Sequence, residues 1–510
     1  MWQVITALAN WPAWLCEGLV LALGGLGVVL LLRCPRKESP RRLFLVIPFL
    51  TVLLQISIEG FRYQLIAAYL VATGLLAFVV LKKKIDSRYL LRVGVGSSVL
   101  LLGSLFAVLS VRDFTELAPT GPYDVGTLTR HLTDSSRRES LAKVNGPREL
   151  MIQIWYPAEP SRRPRWSPSS LLKGRSELTW TSAPPALKVP ISQAQATYPV
   201  IVYSPSWHGQ RDQNKFQTEE LASHGYIVVG IDHPYGSRLT VFPDGRIARA
   251  QMVAFRDRSS AEALRRSEIY IAKQLSVRVQ DVEFLVDQLE QMNKSASGDF
   301  FGGRMNLNLL GIVGYSFGGA VAAEECWRDK RFRAGIDLDG SLFGEVAETG
   351  ISRPFLFLTE TIHPPTAVEL ESANPMKRRE AEDNLHDYAI ETKSARTYGA
   401  YFLGIDGTDH VNFTSPPQSP SFRYYLKEAG AIDPSRAMFI INTYTLSFFD
   451  RYLRQKAERL LDGPSPEFPE VHFALQGDNP LRHTRVKSLG ILRSPDTSRC
   501  DRLPLEVGLD

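Results

Sequence analysis

The sequence predicts an α/β fold built on a mostly parallel β-sheet, preceded by a separate and strongly apolar helical region. From about residue 149 onward, short apolar runs of strand length alternate with amphipathic segments of helix length. Strands that are apolar throughout are typical of parallel sheets covered by helices on both faces. Residues 1–111 differ, because they are dominated by long apolar segments. The chain is therefore predicted to contain two unlike parts.

The composition excludes several classes of protein. The 510 residues suffice for more than one domain and a large core. Four cysteines are too few for a disulfide framework, and Cys326 and Cys500, the two beyond the N-terminal region, are expected to be unpaired thiols. No Cys/His spacing indicates zinc, and we expect neither a metal nor a cofactor.

The net charge of +5 has a local origin. Two short loops, residues 33–42 and 82–92, hold ten Lys/Arg and two acidic residues. Without them the chain holds 49 basic and 52 acidic residues. The basic excess thus belongs to the N-terminal region, and we expect no nucleic-acid partner.

Residues 1–111 are predicted to form four transmembrane helices. The apolar segments are residues 14–32, 43–58, 64–81 and 93–111. Each has a length near the ~20 residues that cross the hydrocarbon core of a bilayer. Lys and Arg are concentrated in the first and third connections, which the positive-inside bias places in the cytoplasm. The sequence thus predicts a multi-pass integral membrane protein with its large domain outside the cytoplasm.

The large domain is predicted to span residues 112–462, followed by an irregular tail over residues 463–510. We expect a linker over residues 112–146 and a surface insertion, rich in Pro, Ser and Arg, over residues 158–197. Apolar or alternating runs predict strands over residues 149–156, 199–203, 226–231, 309–313, 334–338, 354–358 and 400–405. Helices are predicted over residues 216–224, where Gly225 is a C-cap, and over residues 277–292 and 434–457, from their apolar faces.

A Gly-x-Ser-x-Gly motif with Ser316 at its centre lies between a predicted strand and a predicted helix. In this setting a serine is held on a strained turn with its hydroxyl exposed, which is the nucleophile position of the α/β-hydrolase fold. The glycines suit a turn where strand and helix approach too closely for side chains. An ordinary serine in a glycine-rich turn is the alternative. The flanking elements favour the nucleophile and an α/β-hydrolase fold.

A serine nucleophile needs a base and an acid that orients it. In α/β-hydrolases the order is serine, acid, histidine. His410 fits as the base, because it follows the last predicted strand, 94 positions beyond Ser316. The acid is left open among Asp337, Asp339 and Glu360, which lie at the ends of two intervening strands.

The oxyanion of a tetrahedral intermediate needs two N–H donors. One is expected at the amide of Phe317, directly after the nucleophile, and the other in the loop that follows Tyr203. Trp207 and His208 are the candidates in that loop. We expect His208 to line the pocket rather than to act as a second base.

Several motifs together resemble the platelet-activating factor acetylhydrolase family. They are residues 119–127, 221–228, 314–319, 331–339 and 407–413, in the same order as in the family. The resemblance covers about residues 118–456 and implies Ser316 as nucleophile, Asp339 as acid and His410 as base. It also implies oxyanion donors at Phe317 and Trp207. The family's Ser-His-Gly-Leu-Gly loop is replaced here by Ser-Pro-Ser-Trp-His-Gly at residues 204–209.

Enzymes of that family are calcium-independent esterases that remove short or oxidised acyl groups from the second position of phospholipids. The resemblance therefore implies a serine esterase that acts on a lipid-like ester. The four predicted membrane helices have no counterpart in the family's soluble enzymes, and from them we expect the esterase to be membrane-anchored. A general carboxylesterase or polyester hydrolase on the same fold is one alternative. An inactive membrane receptor or scaffold with a hydrolase-like domain is another.

Overall fold

The computed structural model describes residues 13–33, 44–59, 65–80, 87–110, 117–160, 189–257, 259–294, 298–360, 364–415 and 429–474. Most of the predicted surface insertion and most of the predicted C-terminal tail lie outside these ranges. Cys34 and Cys500 lie outside them as well. Cys326 is a buried free thiol.

The described ranges of the N-terminal region contain four helices. They are α1 (Ala13–Arg33), α2 (Ile47–Glu59), α3 (Ile66–Val80) and α4 (Ser87–Ser110). These helices pack on an apolar cluster of their own, which includes Val20, Val52 and Leu101. Buried polar groups among these helices are hydrogen-bonded to each other; the Tyr69 hydroxyl, for example, donates to Gln55 Oε1 at 2.7 Å. The helical part of the prediction therefore agrees with the structure.

The predicted transmembrane spans do not agree with it. In the described parts of the chain, no helix combines the length and the apolar character needed to cross a membrane. Helices α2 and α3 have 13 and 15 residues, whereas a span needs about 20. Both helices are shorter than the apolar runs, residues 43–58 and 64–81, from which spans were predicted. The prediction of a multi-pass integral membrane protein is therefore wrong.

The large domain is organised by a nine-stranded sheet. Its strands are β1 (Asp124–Arg138), β2 (Pro147–Ala158), β3 (Tyr198–Ser204), β4 (Ile227–Asp232), β7 (Met305–Tyr315), β8 (Phe332–Leu338), β9 (Phe355–Glu360), β10 (Tyr401–Ile405) and β11 (Val471–Phe473). They lie in the order β1-β2-β4-β3-β7-β8-β9-β10-β11. The six strands from β4 to β10 in this order are parallel. A separate hairpin contains β5 (Leu239–Val241) and β6 (Ile247–Arg249).

Helices cover both faces of the sheet. They are α5 (Lys215–Ser223), α6 (Ala261–Asn293), α7 (Phe317–Arg328), α8 (Glu345–Thr349), α9 (Ala367–Leu370), α10 (Pro375–Tyr398) and α11 (Pro434–Leu453). Helices α6, α7 and α10 contribute to one apolar core, and α5 and α11 contribute to the other. Consecutive strand residues alternate between the cores, since Ile312 lies in the first and Val313 in the second. This confirms the predicted α/β-hydrolase-like sheet, which helices cover on both faces.

Several elements differ from the sequence predictions, among them helix α10, where no helix was predicted. Strand β1 occupies residues 124–138 of the segment predicted as a linker, because an antiparallel edge strand with one solvated face can be largely polar. Strand β11 forms within the tail predicted to be irregular and pairs with β10. Helix α6 begins at Ala261 rather than at residue 277. Ser260 is its N-cap, and the Ser260 side chain accepts a hydrogen bond from Ala263 N.

The sheet also explains where the predicted site residues meet. The carboxyl ends of parallel strands lie at one edge of a sheet, and ligands bind outside that edge. The segments that follow β3, β7, β8, β9 and β10 all leave from it. Ser316, Asp339 and Glu360 therefore come together at one edge, together with the turn that carries His410.

Candidate active site

Ser316 lies on a strained turn between β7 and α7. Its backbone has φ 56° and ψ −122°, a conformation that a residue with a side chain rarely adopts. Two hydrogen bonds hold it: Ser316 N–H donates to Leu338 O, and Gly319 N–H donates to Ser316 O, both at 2.8 Å. The turn is thus fixed both to the neighbouring strand and to the helix that follows.

The glycines around Ser316 are required by close backbone approach. A Cβ at Gly314 would clash with the backbone of Gly318, and a Cβ at Gly318 would clash with the carbonyl of Ser204. A Cβ at Gly319 would clash with the carboxylate of Asp337. The elbow therefore packs directly against the end of β3 and against the end of β8.

His410 lies between Ser316 and Asp339. Its Nε2 is 3.0 Å from Ser316 Oγ, and its Nδ1 is 2.6 Å from Asp339 Oδ2. His410 is the first residue of a short 3-10 helix, His410–Phe413. Asp409 is the N-cap of this helix, and its side chain accepts a hydrogen bond from His410 N–H at 2.8 Å. A general base must lie within hydrogen-bond distance of the proton that it removes, and His410 Nε2 meets this condition for the Ser316 hydroxyl.

Asp339 is buried and fixed by three donors. One oxygen accepts hydrogen bonds from Thr359 Oγ1 at 2.9 Å and from the Glu360 amide at 2.7 Å, and the other faces His410. Burial by itself would raise the pKa of Asp339, but the hydrogen bonds, above all that from His410, lower it below the ordinary value. The carboxylate is therefore ionised at neutral pH and oriented towards His410 Nδ1.

The His410 side chain keeps contact with solvent, since 46% of it is exposed. Its burial would lower the pKa, but the hydrogen bond and the negative charge of Asp339 raise the pKa above the ordinary value. Tyr315 supports the ring from one side. The two rings stack at 5.1 Å, and the Tyr315 hydroxyl donates to His410 O at 3.0 Å. Sequence inspection missed this contact, although Tyr315 lies inside the serine motif.

The other two candidate acids have a different protonation state. Burial, with the charges of Asp339 and Asp409 nearby, raises the pKa of Glu360 to about 8. Burial, with Asp339 nearby, also raises the pKa of Asp337 well above its ordinary value. Glu360 is therefore mainly protonated at neutral pH, and the charged form of Asp337 is disfavoured. Neither carboxyl is placed to accept from His410 Nδ1, which faces Asp339.

The two expected oxyanion donors lie in neighbouring segments. Phe317 opens α7, where the first amides have no intrahelical acceptor. Trp207 lies in the tight turn of residues 206–209, closed by a hydrogen bond from Gly209 N–H to Ser206 O at 2.9 Å. The rings of Trp207 and Phe317 meet edge to face at 5.0 Å.

His208 belongs to the same turn, and its ring contacts backbone carbonyls. Its two ring nitrogens lie 3.1 and 3.3 Å from the carbonyl oxygens of Gly236 and Val253. The Trp207 indole N–H donates to the same Val253 carbonyl at 2.9 Å. His208 therefore ties the turn to the neighbouring segment. In the described residues, no cluster of three or more His, Cys, Asp or Glu side chains could hold a metal ion.

Comparison with known proteins decides the family. The family model "Platelet-activating factor acetylhydrolase, isoform II" matches residues 120–462. The chain belongs to this family. It is 26% identical to a probable 1-alkyl-2-acetylglycerophosphocholine esterase of Arthroderma benhamiae, over 70% of this chain and 92% of the relative. It is 25% identical to the platelet-activating factor acetylhydrolase of Cavia porcellus, over 70% of this chain and 80% of the relative.

A solved structure is also similar. The ferulic acid esterase of Streptomyces cinnamoneus superposes with a TM-score of 0.53 at 28% identity, over 70% of this chain and 98% of that one. Family membership and these relatives together make the chain an ester-hydrolysing serine hydrolase. The resemblance stated from the sequence motifs is thus confirmed at the level of the family.

Proposed function

We propose that Ser316, His410 and Asp339 form the catalytic triad of this platelet-activating factor acetylhydrolase family member. The observation that carries the proposal is the continuous chain of hydrogen bonds from Asp339 Oδ2 through His410 to Ser316 Oγ. The strained backbone of Ser316 supports it, because strain of this kind persists where the surrounding structure presents a reactive group.

Acylation follows from the geometry. His410 Nε2 takes the proton of Ser316 Oγ, which attacks the carbonyl carbon of the ester. The amides of Phe317 and Trp207 donate to the oxyanion that forms. Asp339 holds His410 in the tautomer with the proton on Nδ1 and stabilises the imidazolium.

The tetrahedral intermediate then breaks down. The Nε2 proton of the imidazolium passes to the leaving alcohol oxygen as the carbon–oxygen bond breaks, which leaves an acyl group on Ser316. Water repeats the sequence with His410 as the base and releases the carboxylic acid. No step needs a metal ion, because backbone amides supply the electrophilic contacts.

The proposed substrates are glycerophospholipids with a short or oxidised acyl group at the second position. The two relatives, a probable acetylglycerophosphocholine esterase and a platelet-activating factor acetylhydrolase, match over most of their length and support this substrate class. A general carboxylesterase is the second candidate. The similarity to a ferulic acid esterase favours this second candidate. An aromatic cluster also favours it, because the ring centroids of Trp207, Phe255 and Phe343 lie within about 6 Å of that of Phe317.

Fluorophosphonate labelling tests the nucleophile. The wild-type chain is expected to react at one serine, and Ser316→Ala is expected to lose both labelling and hydrolysis. The kcat loss is on the order of a millionfold, as for removal of other triad serines. Circular dichroism of the variant is the control for folding. Residual turnover above a few per cent would contradict the assignment and would favour a scaffold or a different site.

Competing substrates test the specificity. Values of kcat/KM are measured for a short-acyl phosphatidylcholine, its long-acyl counterpart, a water-soluble acetyl ester and a feruloyl ester. We expect the short-acyl phospholipid to be cleaved at least as well as the acetyl ester and far better than the long-acyl lipid. A clear preference for the acetyl or feruloyl ester would instead identify a general or aromatic-acid carboxylesterase.

A further inference from the structure

Arg278 lies on the buried face of α6 and has no exposed surface. Its guanidinium Nη1 donates to the carbonyl oxygens of Pro205 and Ser206, both at 3.0 Å. The guanidinium also lies over the ring of Phe317, 5.0 Å from its centroid. One buried side chain thus contacts both segments that are proposed to supply oxyanion donors.

The contact with Ser206 fixes the direction of the neighbouring amide. The Ser206 carbonyl and the Trp207 N–H belong to one planar trans peptide unit, and in such a unit they point in opposite directions. A hydrogen bond that holds the Ser206 oxygen towards Arg278 therefore holds the Trp207 N–H away from it. The second carbonyl contact, at Pro205, prevents rotation of the peptide unit before it.

Gln213 holds the same turn through other atoms. Its Oε1 accepts hydrogen bonds from Ser206 N–H and from Ser206 Oγ, both at 3.0 Å. The turn is also close to the nucleophile, because the Ser204 and Pro205 carbonyls lie against Gly318 so tightly that a Cβ there would clash with both. A small rotation of the turn would therefore change the geometry beside Ser316 directly.

We infer that Arg278 is a positioning residue of the oxyanion hole, which orients the Trp207 amide and places a fixed positive charge beside the oxyanion that forms at Ser316. The inference rests on the proposed function, because it assumes that the oxyanion forms at Ser316 and is bound by the amides of Phe317 and Trp207.

The charge of Arg278 is retained and is directed at neutral groups. Burial lowers the pKa of the guanidinium to about 10, so it remains protonated at neutral pH. Its hydrogen-bond acceptors are two carbonyls, while Nε and Nη2 are buried without a partner in the described part of the chain. A buried charge acts over a longer distance than one in water, which favours a developing oxyanion.

The test compares Arg278→Lys with Arg148→Lys. Arg148 is a matched control, because it is an equally buried arginine that contacts Asp281, on the same helix, and not the turn. For each variant, folded sites are counted by fluorophosphonate titration. The kcat per titrated site, the KM and the inhibition constant of a trifluoromethyl ketone, which forms a tetrahedral adduct on the serine, are then measured.

We expect Arg278→Lys to lower kcat per titrated site by about 10- to 100-fold, somewhat less than the loss of a whole oxyanion donor. The inhibition constant of the ketone should rise by a similar factor, whereas KM should change by less than about threefold, because the oxyanion exists only in the adduct and the transition state. Arg148→Lys should lower the melting temperature and leave kcat per titrated site and the inhibition constant unchanged.

Gln213→Leu provides a second, independent variant. It removes the acceptor of Ser206 N–H without touching Arg278, and we expect the same pattern with a smaller amplitude. If Arg278→Lys yields no titratable protein, Gln213→Leu alone tests whether the position of the turn controls the rate. If the variants that fold keep normal kcat and ketone affinity while Ser316→Ala is inactive, the role of Arg278 is refuted and the proposed function stands. An active Ser316→Ala would refute the proposed function itself.

Discussion

Two of the histidine–aspartate pairs in the described part of the large domain have opposite properties. His410 Nδ1 is 2.6 Å from Asp339, and His233 Nδ1 is 2.9 Å from Asp281. The His410 side chain is 46% exposed, whereas His233 has no exposed surface. The pKa of His410 is raised, but burial lowers the pKa of His233 to about 4.

Burial is the main cause of the low pKa of His233, and neighbouring charges add to the difference. Asp281 also binds Arg148 through two hydrogen bonds, at 3.0 and 2.6 Å, and lies 3.0 Å from Arg137. Its negative charge is therefore shared with cations, and the charges of Arg278 and Arg148 further disfavour protonation of His233. Around His410 the nearby groups are instead acidic, and they favour the imidazolium.

The comparison shows that a short histidine–aspartate contact does not by itself make a proton-transfer site. The pair at His233 joins β4, α6 and the start of β2 and keeps its histidine neutral, as a structural contact requires. The pair at His410 can gain a proton near neutral pH and reaches a serine. The four predictions that follow test this contrast, from the largest expected effect to the smallest.

Asp339→Asn is expected to lower kcat by about ten-thousandfold, because an amide would hold His410 in the wrong tautomer. The measurement is kcat on a short-acyl ester, per site counted by fluorophosphonate titration. A loss of less than about tenfold would show that this pair does not orient the base.

Asp281→Asn should affect stability instead. Removing one partner of a buried ion pair costs about 3–5 kcal/mol. Here Arg148 would lose the carboxylate that accepts two of its hydrogen bonds and would keep only Glu139 as a counter-charge. Urea denaturation measures the free energy of unfolding, and kcat per titrated site should stay within about threefold of wild type. If the rate per site fell as far as in Asp339→Asn, the two pairs would not differ in role.

The pH dependence sharpens the contrast. Only neutral His410 can accept the serine proton, so kcat/KM should fall about tenfold per pH unit below the raised pKa of His410, which lies above the ordinary 6.5. His233→Gln should leave this profile unchanged, because His233 is already neutral there. If the acid side of the kcat/KM profile shifted in His233→Gln, the titrating histidine would be His233 rather than His410.

Glu360→Gln should have the smallest effect. With a pKa of about 8, Glu360 is mostly uncharged at pH 7, and glutamine replaces one neutral group with another. We expect kcat at pH 7 to change by less than about threefold. A thousandfold loss, with Asp339→Asn nearly unaffected, would move the acid to β9.

The sequence by itself determined the main features of the fold and the nucleophile candidate. The pattern of apolar residues sufficed to predict the central strands, because a parallel strand buried on both faces is apolar at every position. The Gly-x-Ser-x-Gly spacing sufficed for the elbow, because only glycines fit where backbones touch. A charge on the apolar face of α6, Arg278 four positions before Val282, was the one available signal for that buried arginine.

Tertiary structure decided what local patterns do not contain. The N-terminal apolar runs indicated spans, but helix length depends on where each helix begins and ends in its packing. Asp337, Asp339 and Glu360 were equivalent in the sequence because all three end strands. The family resemblance alone singled out Asp339. Folding supplies the physical distinction, since the hydrogen bond from His410 reaches that carboxylate and burial raises the pKa of the other two. Proximity, burial and neighbouring charge are properties of three-dimensional packing, and they determine a carboxylate's pKa and its partner.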